Sequence, residues 1–245
     1  MAKKILFLLF SILFFSVSAG ENNLSAARFM EILRSGLAAK SNSTYAILNG
    51  YAEHIRRGDD EVKEYPIFMG VIINPERSVT QIIIGEDEGY FVGQSRQNSI
   101  IPMHKNLADG TSKLEQCGID PADLSMNFIH YDLVEELAKE KVKLVDCRVF
   151  LLKKPQSDEL VKIFVAEQYF FTLKAEFFKN SDLYQKNTPA RTLEINSFKK
   201  QNDLYYVEKL NIFGPGWRTI VEFEEAEINI YNPTDNKLIF RKLKK

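Results

Sequence analysis

From Val142 to Leu243 the chain reads as one extended run after another, with almost no helical spacing between them. Val161-Lys-Ile-Phe-Val-Ala leads into Gln168 to Phe178. Ala190-Arg-Thr-Leu-Glu-Ile-Asn, Leu204 to Phe213 and Trp217 to Asn229 follow. Each run is rich in β-branched and aromatic residues and is bounded by Asn, Gly, Pro or Asp, the pattern of strands ended by turns. Successive antiparallel strands joined by short turns make a curved sheet or a barrel. A curved sheet has a concave face that must be filled or left for a ligand.

The upstream half adds strands and a few helices. Ser43 to Arg56 and Glu61 to Ile73 predict a strand pair around Gly58-Asp-Asp60. Val79 to Ile84 and Gly89 to Val92 predict a second hairpin, in which Ile82-Ile83-Ile84 is apolar on both faces, as in a strand covered on two sides. Leu24 to Ala39 reads as a helix capped by Ser25, with Ala26, Phe29, Met30, Leu33 and Leu37 at helical steps. Gln94 to Gly118 has little periodicity. Asp120-Pro121 then opens a short helix, and Asp132 to Lys141, with Leu133, Val134 and Leu137 on one side, predicts another. The segment Asp120 to Lys141 is therefore expected to be a helical cover over one opening of the sheet. No composition shift or repeat marks a second domain.

The amino terminus predicts export. Lys3 and Lys4 precede an apolar run from Ile5 to Phe15, and Val17-Ser-Ala19 supplies the small residues of a cleavage site. Residues 1–19 are thus expected to be a signal peptide and residues 20–245 a single domain, with a bacterial periplasm as the destination. Apolar residues make up 45% of the chain, enough for a sizeable core, and a net charge of −1 argues against nucleic acid as a partner. In an oxidising compartment Cys117 and Cys147 are expected to form a disulfide, contributing roughly 3–4 kcal/mol by the chain-entropy argument. Two free buried thiols are the alternative.

Nothing in the chain predicts catalysis. His54, His104 and His130 are dispersed, no Cys or His pair has zinc spacing, and no nucleophile elbow, P-loop or dinucleotide fingerprint occurs. The acidic clusters Asp59-Asp60-Glu61 and Glu222-Phe-Glu-Glu225 fall in a turn and along a solvated strand. The expectation is a binder without a cofactor. Strand alternation nominates Ile82, Ile84, Phe150, Leu152, Phe164, Phe177, Tyr206, Val221 and Phe223 as lining of the concave face. The same residues could equally form a dry core.

Several segments share their order with one family. Lys143-Leu-Val-Asp-Cys-Arg-Val-Phe-Leu-Leu152, Ile163-Phe-Val-Ala-Glu-Gln-Tyr-Phe-Phe-Thr-Leu-Lys-Ala-Glu-Phe-Phe178, Phe198 to Asp203 with Tyr206 and Val207, Gly216-Trp-Arg-Thr-Ile-Val-Glu-Phe-Glu-Glu-Ala-Glu-Ile-Asn229 and Leu238-Ile-Phe-Arg-Lys-Leu243 resemble successive strands of the periplasmic outer-membrane lipoprotein-sorting proteins, LolA and its LolA-like relatives. Met126-Asn-Phe-Ile-His-Tyr-Asp-Leu133 resembles a further element of that family. The resemblance implies a mainly β fold, an unclosed antiparallel barrel of roughly eleven strands with a helical lid over a concave apolar face. It also implies a periplasmic carrier of lipid or lipoprotein acyl chains, served by an inner-membrane release complex and an outer-membrane acceptor, with no cofactor. The family latches its lid with an arginine in a strand that corresponds here to Ser78 to Ile84. That stretch has no basic residue, so no latch is expected from it. The alternative is a periplasmic sensor or structural protein that uses the concave sheet to bind a protein. An open apolar concavity favours the carrier and a filled one favours the interaction module.

Overall fold

The computed structural model describes residues 24–36, 43–59, 61–74, 78–94, 99–101, 112–202, 204–234 and 237–243. The expected signal segment, residues 37–39 of the expected first helix and most of the aperiodic middle lie outside them.

Twelve strands form one antiparallel sheet. They are β1 (Thr44–Arg56), β2 (Lys63–Ile73), β3 (Ser78–Ile84), β4 (Glu88–Gln94), β5 (Ser99–Ile101), β6 (Asp132–Val142), β7 (Val145–Lys153), β8 (Leu160–Ala166), β9 (Phe171–Phe178), β10 (Arg191–Gln201), β11 (Leu204–Gly214) and β12 (Trp217–Ile230). Their order across the sheet is β5-β4-β3-β2-β1-β12-β11-β10-β9-β8-β7-β6. Two meanders therefore join where the first strand pairs with the last, from Thr44↔Ile230 to Arg56↔Trp217. Strands β5 and β6 remain as edges, so the barrel is not closed. The seam bulges between Asn49 and Gly50, and a Cβ on Gly50 would lie 1.9 Å from the Glu222 carbonyl oxygen. Only glycine lets the two backbones approach this closely.

Among the described residues, four helices accompany the sheet: α1 (Ala26–Gly36), α2 (Lys113–Gln116), α3 (Pro121–Ser125) and α4 (Ser181–Gln185). A 3₁₀ turn spans Asn127–His130. The chain crosses from edge β5 to edge β6 through α2, α3 and this turn, and it does so over the concave face. There Phe29, Leu114, Leu124 and Phe128 join Ile82, Phe150, Phe177 and Phe223 in the main apolar cluster.

Four expectations need correction. Asp132 to Lys141 is strand β6, not helix. Its pairing with β7 shifts between Leu133 and Glu135 and again between Leu137 and Glu140. These bulges break the two-residue period, so Leu133 packs in the concave cluster and Leu137 in a convex one, a spacing that mimics a helix. Phe164 points the other way from the expected lining. On β8 it is Val161, Ile163 and Val165 that enter the concave cluster. Phe164 packs with Val142, Cys147 and Val149 on the convex face, flanked by the ammonium groups of Lys162 and Lys174 at 4.8 and 4.9 Å.

The disulfide does not form: Cys117 and Cys147 are free, buried thiols. The sheet separates them, Cys117 lying in the concave cluster and Cys147 in the convex one. Leu238 to Leu243, finally, is not a strand. It crosses the convex side of β2 and β3, where the Gln81 side chain bonds both the N–H and the carbonyl of Arg241 at 2.8 Å. The Arg241 guanidinium lies 3.9 Å from the Phe68 ring centre, and Phe240 packs edge-on to Phe91. This segment is what covers the second apolar face anticipated from Ile82-Ile83-Ile84.

Candidate functional site

The concave face carries the main apolar cluster of the sheet, and two elements cover it. The first is α1. Ser25 starts it, accepting from Arg28 N–H at 3.3 Å, and its apolar stripe places Phe29, Met30 and Leu33 against the sheet. Phe29 stacks on Phe150 with ring centres 5.4 Å apart and lies 4.7 Å from Phe170.

The second element is the crossover of α2, α3 and the 3₁₀ turn, hereafter the lid. Each of its parts is too short to be a stable helix alone, and polar side chains from the sheet and from α1 hold them. At the start of α2 the buried Glu88 carboxylate accepts from Ser112 Oγ, Tyr90 OH and Lys113 N–H, each at 2.6 Å. A carboxylate there satisfies N–H groups that the helix leaves unpaired. At its end Thr219 donates to the Cys117 carbonyl and receives from His54 Nδ1 at 2.8 Å. Arg56 donates to His54 Nε2 at 3.2 Å, which fixes the neutral Nδ1–H tautomer. Burial, then Arg56, holds that imidazole below its ordinary value.

Helix α3 is held by an ion pair. Asp120 and Asp123 form a capping box around Pro121, with Asp123 accepting from Asp120 N–H at 2.9 Å. Asp123 is fully buried and is gripped by Arg191 of β10, through Nε and the terminal nitrogen at 3.0 Å each. The guanidinium in turn lies 4.0 Å from the centre of the Phe177 ring. Burial pushes the Asp123 carboxyl up to about 6, against the pull of Arg191. The 3₁₀ turn is held from α1: Arg34 donates to the carbonyls of Ile129 at 2.9 Å and Tyr131 at 2.7 Å. Arginines on α1 and β10 thus hold the lid.

The lid also contains two irregular features. Met126 takes a left-handed conformation, φ 53°, at the junction of α3 and the 3₁₀ turn. Asn127 is 1% exposed, and its Oδ1 has no hydrogen-bond partner among the described residues.

Of the lining residues expected from sequence, Ile82, Ile84, Phe150, Leu152, Phe177, Val221 and Phe223 meet in the concave cluster, all fully or almost fully buried. Tyr206 is partly buried against that cluster. Sequence reasoning missed Asp123, Arg191, Glu88 and Thr219. The spacing of Asp120 and Asp123 on either side of a helix start signals a capping box, and only the Asp120 half of it was read. Nothing local marks the other three, because their partners are remote in sequence.

No protein-family model and no curated protein matches the chain. Solved structures do. One is a domain described as an outer membrane lipoprotein-sorting protein from Vibrio parahaemolyticus, with a TM-score of 0.55 over 86% of this chain and 94% of that one, at 10% identity. Another is a DUF1329 family protein from Desulfovibrio piger, with a TM-score of 0.54 over 87% and 95%, also at 10% identity. The chain shares the fold of these two structures, an unclosed antiparallel half-barrel. The alignment spans nearly the whole of both neighbours. Among the described residues, no helix is long and apolar enough to cross a membrane.

Proposed function

We propose that this chain is a periplasmic carrier that takes acyl chains of a lipid or lipoprotein onto its concave face and moves them toward the outer membrane. The observation that carries the reading is the construction of the cover. A broad concave sheet is sealed by short helices held at a few polar points, not by a second sheet or a long helix. Each buried methylene of an acyl chain returns about 0.8 kcal/mol, so a long chain can replace the apolar contacts of Phe29, Leu114 and Phe128. Membrane complexes that load and unload the carrier are part of this reading, and catalysis is not.

One observation favours the alternative, a protein-binding sensor: the concave face is filled in the closed state, with Phe150 and Val221 at 0% exposure. The two readings differ in what travels with the protein. Native mass spectrometry of the chain purified from a cell envelope is expected to show a bound acyl species. A protein that is always lipid-free and co-isolates with a polypeptide instead would replace the carrier with the sensor.

A further inference from the structure

Arg148 and Arg191 both face the concave cluster, and their difference identifies the kind of head group a ligand needs. Arg148 stands opposite Val165 and therefore faces inward. It lies 4.4 Å from the Phe29 ring centre and 5.3 Å from that of Phe150. Glu136 neutralises it through two contacts of 2.6 Å. Arg191 stands opposite Phe177 and also faces inward, over that ring. Its carboxylate comes from Asp123 of the lid. When the lid lifts, Glu136 stays with the sheet and Arg148 keeps its partner, whereas Arg191 loses Asp123 and its neighbour Asp120 together. Glu159, the other acid acting on Arg191, belongs to the body and faces Lys154 at 3.8 Å.

We propose that the ligand is a single-chain or multi-chain amphiphile with an oxyanion at its head, and that this oxyanion takes the place of Asp123 on Arg191 while the acyl chain takes the place of the lid. This inference rests on the carrier reading. An uncharged acyl head pressed into the same space desolvates Arg191 without giving it a counter-charge, and an uncompensated buried charge is costly. A carboxylate or phosphate oxygen pair restores the two-pronged contact that Asp123 makes, in the geometry a guanidinium favours. Asp123 and the 3₁₀-turn residue Phe128, which packs edge-on to Phe177 at 5.4 Å, thus occupy the head and first chain positions of the ligand in the closed state.

The test is calorimetric titration of the delipidated full-length protein with laurate, dodecyl phosphate and methyl laurate, each below its micellar concentration. Wild type is expected to bind both acids at least tenfold more tightly than the ester, and the tighter of the two acids identifies a carboxylate or a phosphate head. Arg191→Gln should bring acids and ester to within about twofold of each other while leaving ester binding in place. Asp123→Asn, which removes the internal competitor, should tighten the acids several-fold and the ester little. Equal affinity of acids and ester in wild type overturns the inference and leaves the carrier standing, whether or not the variants fold. An acid preference that survives in folded Arg191→Gln assigns the anion elsewhere and overturns it too. Absence of binding by all three ligands removes the carrier reading and the inference together.

Discussion

His130 shows how a single side chain can make the stability of the fold depend on pH. It ends the 3₁₀ turn, and burial, then the nearby Arg34, pushes its imidazole down to about 4. A histidine held below its unfolded value contributes stability that is present above about 6.5 and is lost as pH falls through about 4. Asp123 acts on folding stability in the opposite sense, since its raised carboxyl adds stability as pH falls through about 6. The two are separable by substitution. His130→Gln should lose less stability than wild type between pH 7 and pH 4, by on the order of 2 kcal/mol once solvent screening is allowed for. Chemical denaturation at both pH values measures this, and Asp123 cancels because it is common to both proteins. Identical pH dependence in the two proteins would remove His130 from the account. None of this was visible in the sequence, where three dispersed histidines carry no pattern.

At the scale of elements, the lid and the strands should differ in how often they open. Strand β11 is paired on both sides, with Leu210 and Ile212 in the core. The lid has short helices, the strained Met126 and the orphaned Asn127 oxygen. Segments of this kind occupy the low-stability end of a fold. Amide hydrogen exchange should therefore be faster across Lys113–His130 than across Leu204–Gly214, and an acyl ligand should change exchange in the lid while leaving β11 as it was. Equal protection in the two segments contradicts a movable lid. The elements themselves were largely legible in the sequence, from Ser25 as the cap of α1 to the closing run of strands. Strand β6 was not. Its bulges and charged edge residues destroy the alternation by which a strand is recognised, and Leu133 with Leu137 then imitates one face of a helix. Phe164 was misplaced for a related reason: in a run apolar on both faces, such as β8, composition cannot say which parity points inward.

For the whole molecule, the half-barrel was legible through the order of its strands. Its closure was not, because the β1–β12 seam, the Arg191–Asp123 pair and the Glu88 cap all join residues far apart in the chain. The disulfide failed on the same ground, since two cysteines in an oxidising compartment say nothing about which face each occupies. The central claim is that acyl chains enter the concave face beneath the lid, and the chain's single tryptophan can report this. Trp217 packs partly buried against the main cluster, its ring closing on Gly118 between α2 and α3. Bromine quenches indole fluorescence at short range, so a brominated stearic acid is the direct probe. Titration with it should quench Trp217 saturably, ordinary stearic acid should bind without quenching, and an excess of stearic acid should restore the emission. Saturable binding of the brominated acid with unchanged Trp217 emission would place the acyl chain outside the concave face and contradict the account.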